Sequence, residues 1–229
     1  YTVTLDLAPT DDGYRIEVNG QAEQARLSLF PFSGDPSEIA PMDLELQLIG
    51  SGRTLHSMAA SADGRIRIVQ GQGKIDNSAL TQMGADVLST LYGTLNPFMK
   101  EEAFTKLECS VFLVEIEDGI ARLGPLVMLT DKFVDVGHGE INFETEELSL
   151  HSAIKPRKGI GLSASAITNN YIKLGGSLSE PHLEVSPLKA VRATGAAVLT
   201  GGLSVLGRAV FNRISAERKV CRRALETAE

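Results

Sequence analysis

The run Leu107-Glu108-Cys109-Ser110-Val111-Phe112-Leu113-Val114-Glu115-Ile116-Glu117-Asp118-Gly119 opens a stretch, Leu107 to Pro187, whose reading decides the fold. Asp118-Gly119 supplies a turn. Short strand-like segments follow at Ile120–Leu123, Leu126–Leu129, Phe133–Val136, Glu140–Phe143, Glu147–Ser152, Tyr171–Leu178 and His182–Val185. Apolar and polar residues alternate along them, the pattern of antiparallel strands with one dry and one wet face. Glycines recur in step with these strands at Gly71-Gln72-Gly73, Gly137-His138-Gly139 and Gly175-Gly176. They read as bends or bulges in strongly curved strands. None opens a helix as a G-x-G-x-x-G phosphate fingerprint does.

Upstream the same period of two continues. Val3, Leu5 and Leu7 alternate with Thr4 and Asp6, and Asp11-Asp12-Gly13 turns the chain into Tyr14, Ile16 and Val18. Leu27 and Leu29 continue the pattern, Pro31 to Pro41 reads as a loop, and Leu44, Leu46 and Leu48 resume it. Asp63-Gly64 reads as a hairpin turn into Ile66 and Ile68, because Asp-Gly suits the positive φ of tight turns. The period then changes. Leu80, Met83, Val87, Leu88, Leu91, Leu95 and Phe98 fall at helical spacing, with Asp76, Asn77 or Ser78 as the cap. A second helix is expected from Pro187 to about Glu217, weakened by Gly195, Gly201, Gly202 and Gly207, with a polar tail beyond.

The expected organisation is therefore β-strands over 1–76, an amphipathic helix over 77–99, further strands over 100–186, and a helix with a tail over 187–229. The fold class is mainly β with two helices: a long, curled antiparallel sheet forming an open, helix-capped apolar groove. About a dozen strands at ~4.8 Å spacing extend about 60 Å, more than two helices cover. The uncovered apolar surface must close on itself, dock on a partner or bind apolar ligand. Its expected lining is Leu5, Leu7, Ile16, Val18, Leu27, Leu29, Leu46, Leu48, Ile66, Ile68, Val114, Ile116, Leu148 and Leu150.

Composition narrows the function classes. Of 229 residues, 43% are hydrophobic and 22% charged, within the range of a foldable globular chain. A net charge of −7 argues against a broad nucleic-acid surface, which needs clustered Lys and Arg. The uncharged stretch Ala193–Gly207 is shorter than the ~20 residues a membrane-spanning helix requires, so it reads as a packed or interfacial helix. The chain begins at Tyr1 with neither Met nor leader, as a fragment of a longer protein does. His56, His138, His151 and His182 show no metal-ligand spacing, and no G-x-S-x-G elbow is present. His138, between two glycines, reads as a packed turn residue. Catalytic chemistry and cofactors are not indicated. Lys155, Arg157 and Lys158 form one basic cluster, and Arg213, Arg218, Lys219, Arg222 and Arg223 another. They read as solvated charge or as contacts for anionic head groups.

Several motifs in order resemble the C-terminal region of AsmA-like proteins. They are Leu107-Glu108-Cys109, Asp118-Gly119, Leu129-Thr130-Asp131, Val136-Gly137-His138-Gly139-Glu140-Ile141-Asn142, Glu147-Leu148-Ser149-Leu150 with Pro156, and Leu174-Gly175-Gly176-Ser177-Leu178 with Pro181 and Pro187. Upstream, Gly71-Gln72-Gly73-Lys74-Ile75-Asp76 also looks like that family. The resemblance covers about residues 60–221. It implies a repeating β-groove that carries phospholipid through the periplasm between inner and outer membranes. The implied anchor is an N-terminal inner-membrane helix absent from this chain, and the implied partners are phospholipid and a membrane or envelope protein at the C-terminal end. The resemblance also implies a disulfide between the only two cysteines, Cys109 and Cys221. Sequence spacing leaves two free buried thiols as the alternative. Two other readings of the sheet remain: an outer-membrane barrel, disfavoured by few aromatics and no Trp, and a non-catalytic assembly module that carries no lipid.

Overall fold

A computed structural model describes residues 1–27, 32–76, 103–157, 170–187 and 220–226. Eleven strands fill most of them: β1 Thr2–Thr10, β2 Gly13–Ala25, β3 Met42–Gly52, β4 Asp63–Gln70, β5 Gly73–Asp76, β6 Phe104–Glu117, β7 Ile120–Thr130, β8 Phe133–Asn142, β9 Glu147–Pro156, β10 Asn170–Ser177 and β11 Pro181–Pro187. Two α-helices, α1 Leu55–Ala60 and α2 Val220–Glu226, and a 3₁₀ turn, Pro36–Glu38, complete the described residues.

The strands form one antiparallel sheet in the order β1-β2-β3-β4-β6-β7-β8-β9-β10-β11, with β5 pairing β6 beside this path. The sheet does not close, because β1 and β11 end the order unpaired with each other. The open order agrees with the expected open sheet and not with the barrel that the scarcity of aromatics already disfavoured. The strands of 1–76 and of 100–186 belong to one sheet, joined where β4 pairs β6.

Register explains how the sequence pattern becomes two different faces. Directly paired residues of an antiparallel sheet point the same way. One row therefore runs Leu5, Val18, Leu48, Gly64, Ile116, Ala121, Ile141, Leu148 and Gly176. The next runs Val3, Gly20, Leu46, Ile66, Val114, Leu123, Gly139, Leu150 and Leu174. Both rows are apolar or glycine throughout.

The opposite face is divided. Toward the β6–β7 turn it carries a cross-strand ladder of alternating charge. Arg67 Nη1 reaches Glu45 at 2.9 Å, Arg65 Nε reaches Glu115 at 2.7 Å, and Arg122 reaches Glu117 at 2.6 Å and Glu140 at 3.8 Å. Toward the other end it is dry. Val111, Leu113, Val127, Leu129 and Val134 form a core with Val220, Cys221 and Ala224 of α2. Val111 is 0% and Val220 1% exposed. A seven-residue helix is too short to be stable alone. Burial of this stripe and the Cys109–Cys221 disulfide, with Cα atoms 6.4 Å apart, hold it in place.

Several local expectations are corrected. Residues 120–130 form a single strand, β7, because Gly124-Pro125 is accommodated as a bulge: Leu123 pairs Gly139 and Leu126 pairs Gly137. The bulge adds one residue, so Leu123 and Leu126 stay on the same face. The segments at Phe133–Val136 and Glu140–Phe143 likewise join as β8, so Gly137-His138-Gly139 is mid-strand and in regular register with Ser152, His151 and Leu150. A Cβ at Gly139 would lie 2.5 Å from Leu150 Cδ2 and 2.6 Å from the Ser149 carbonyl oxygen. Close packing across the pair, not a bend, requires that glycine.

Asp63-Gly64 is not a hairpin turn but the start of β4. The true Asp-Gly hairpin is Asp118-Gly119, with φ of 47° and 70°. Helix α1 was not anticipated; at six residues it shows too few turns for a period. The residues after 217, expected as a polar tail, include helix α2 at Val220–Glu226. The helix expected at Ser78–Phe98 and the one expected from Pro187 to Glu217 fall mostly outside the described residues, although Pro187 itself ends β11.

Candidate functional site

The candidate site is the apolar face. Of the fourteen expected lining residues, Leu5, Leu7, Ile16, Val18, Leu46, Leu48, Ile66, Ile68, Val114, Ile116, Leu148 and Leu150 stand on this one face. Leu7 pairs Ile16, and Ile68 lies between Leu44 and Phe112. Leu27 is corrected: β2 ends at Ala25, and Leu27 lies off the sheet, 37% exposed. Leu29 lies outside the described residues. Sequence reasoning missed Leu123, Leu126, Ile141 and Leu174, which stand on the same face. Their signal was present in the alternation, but the bulge at Gly124-Pro125 shifts the phase.

Exposure varies along this face. At the β1 edge, Val3, Leu5 and Leu7 are 61%, 63% and 57% exposed. Across the centre, Ile16, Val18, Leu46, Ile66, Val114, Leu123 and Leu150 are half-buried. Ile116, Ala121 and Leu148 are buried, at the end where α1 lies. That helix approaches the sheet closely because glycines make room. A Cβ at Gly50 would meet the Met58 carbonyl oxygen at 2.5 Å, and one at Gly119 the Ala60 carbonyl oxygen at 2.2 Å. Gly50 pairs Ile16, so α1 sits over the apolar face. Thr54 starts it with a capping box: its hydroxyl accepts from the Ser57 N–H at 3.1 Å, and the Thr54 N–H donates to Ser57 Oγ at 3.0 Å. His56 Nδ1 lies 3.2 Å from Glu146 in the β8–β9 turn. α1 therefore bridges β3 to that turn.

At the other end of the face the chemistry changes. Ile68, Phe112, Leu126 and Gly137 align with Ser152, and beyond them Met42, Gln70, Ser110, Met128 and Asp135 align. Ser110 Oγ donates to Gln70 Oε1 at 2.8 Å, and the Ser152 hydroxyl donates to Asp135. Burial pushes the Asp135 carboxyl up to about 6, opposed by hydrogen bonds from Ser152 and the Val136 N–H.

The other polar groups among the described residues are placed as follows. His138 stands mid-strand on the opposite face, its ring 5.4 Å from that of His151. This corrects its reading as a turn residue. Among the described residues no group of three or more His, Cys, Asp or Glu is placed to hold a metal. No helix among them is long and apolar enough to cross a membrane, and Ala193–Gly207 lies outside them. Arg157 bonds Glu108 and the Thr130 carbonyl, so that basic residue serves the fold. A shallow 370 Å³ depression is lined by Glu17, Asn19, Gln47, Leu48, Ile49, Asp63 and Gly64.

No family model, curated protein or solved structure matches the chain. The resemblance to AsmA-like proteins therefore rests on the sequence motifs alone.

Proposed function

We propose that the apolar face is the wall of an open groove that binds acyl chains, and that the protein carries or bridges phospholipid between the inner and outer membranes. The observation that carries this reading is the pair of rows, each nine strands wide, with no polar side chain in either. A sheet face of that width normally packs against a second layer. Here the central residues are half-buried and the β1 residues largely exposed, with α1 over one end only among the described residues. Bulges between Ala22 and Ala25, at Gly124-Pro125, and between Leu107 and Cys109 bend the strands and favour a trough over a flat slab.

The length fits as well. Six residues separate Ile116 from Ser110 along β6, or ~20 Å at ~3.4 Å per residue. An acyl chain occupies about 15 Å, half the ~30 Å hydrocarbon core of a bilayer. The disulfide supports an oxidising compartment such as the periplasm. The motif resemblance supports attachment at the inner membrane.

Native mass spectrometry of the purified chain tests the reading. Bound phospholipid is expected on the wild-type protein and its loss in Leu46→Glu with Ile68→Glu, whose circular dichroism stays native. A lipid-free wild-type chain after exposure to phospholipid vesicles would instead favour an assembly module whose face is filled by protein.

A further inference from the structure

The apolar face is not uniform, and its asymmetry matches that of an amphipathic molecule. Its two rows nearest α1 contain no polar side chain. Polar side chains begin two residues further along the strands at Ser152, and four residues further at Gln70, Ser110 and Asp135. These come from four different strands, β9, β4, β6 and β8, and converge only in the folded sheet. Asp135 is the single charged side chain in these rows among the described residues, and no Lys, Arg or His pairs with it there.

A carboxylate on an apolar face is costly unless it is paired. Its two donors, the Ser152 hydroxyl and the Val136 N–H, leave part of its acceptor capacity open, since an ionised carboxylate has about four lone-pair sites. Asp135 and Ser110 are two strand spacings apart, ~10 Å; Ser110 is 2% exposed with its hydroxyl donated to Gln70, so it backs the row while the open acceptor capacity is that of Asp135. Purely structural burial of an acid would not require Gln70 and Ser110 to share its row.

From this arrangement we infer that Gln70, Ser110, Asp135 and Ser152 form a headgroup seat, in which the Asp135 carboxylate receives a primary ammonium while the acyl chains run over the apolar rows toward α1. The inference rests on the acyl-carrier reading and adds a lipid class to it: zwitterionic lipids with a primary amine over anionic lipids without one. A bare phosphoglycerol head brings its negative charge toward the carboxylate with no cation to offset it. An ethanolamine head places its ammonium there and makes a charge-assisted hydrogen bond.

The test is competitive loading. The full chain is incubated at pH 7.5 with vesicles of equimolar phosphatidylethanolamine and phosphatidylglycerol bearing identical acyl chains, then re-isolated, and bound lipid is quantified by mass spectrometry. Total lipid on the wild-type chain reports the carrier reading; the ratio of the two classes reports the seat. The seat predicts roughly tenfold enrichment of phosphatidylethanolamine, the size of one charged hydrogen bond, and a ratio near one in Asp135→Asn. Bound lipid at the vesicle ratio on the wild-type chain, or enrichment unchanged in Asp135→Asn, overturns the seat and leaves the carrier reading standing. No bound lipid overturns the carrier reading itself and the seat with it.

Discussion

Removing the disulfide, as Cys109→Ala with Cys221→Ala, tests how the C-terminal helix is held. The bond closes a loop with a sequence separation of 112 residues. The chain-entropy relation assigns a loop of that length about 5 kcal/mol of stabilisation through the unfolded state. Among the described residues, the seven-residue helix α2 packs through Val220, Cys221 and Ala224, buried against Val111, Val127 and Leu129. Without the cross-link, docking must overcome the ordering entropy of a short helix, with that small apolar stripe as its main described contact. Undocking exposes Val111 and Val127, now 0% and 1% accessible, to water. Urea denaturation is the first assay, and hydrogen exchange across Val220–Glu226 and Val127–Leu129 the second. The double variant is expected to lose about 3–5 kcal/mol and its protection in both segments. Stability within 1 kcal/mol of wild type, with α2 still protected, would refute the argument that the bond holds the helix.

Other perturbations follow from named contacts. The pKa of Asp135 is raised from 3.8 to about 6 by burial, so the folded state holds its proton more tightly than the unfolded state. That contribution is fully present below pH 4 and is lost as pH rises through 6. It amounts to about 3 kcal/mol, read as the growing advantage of Asp135→Asn over wild type in denaturation between pH 4 and 7. Gly139→Ala places a methyl 2.6 Å from the Ser149 carbonyl oxygen; a loss of about 1–3 kcal/mol is expected, and unchanged thermal stability would contradict the close β8–β9 approach. Thr54→Ala removes the hydroxyl that caps α1; a loss of about 1 kcal/mol is expected, with increased exchange confined to Leu55–Ala60.

Much of the sheet was legible because period-two alternation reports which side chains share a face. Leu46 and Ile66, or Val114 and Leu150, could be assigned to one surface without knowing their partners. What alternation does not carry is phase across a bulge. Gly124-Pro125 reads as a break between two strands, although the chain runs through it and keeps both Leu123 and Leu126 on one side. The same limit hid the role of Gly139, which answers to Leu150 on another strand and not to its own neighbours. The polar seat is a product of register as well: Gln70, Ser110, Asp135 and Ser152 are spread over 83 positions, and only pairing brings them together. Leu27 failed for the opposite reason, since alternation outlasted the strand that carried it.

The central claim is that acyl chains lie on this face and not on the other. Ile66 and Arg65 are adjacent in β4 and point to opposite sides, Ile66 between Leu46 and Val114, and Arg65 toward Glu115. A photo-crosslinking amino acid placed at each position in turn, in protein loaded from phospholipid vesicles, reads the difference directly. Lipid adducts are expected from position 66 and none from position 65. Equal crosslinking from both, or adducts from 65 alone, would contradict it.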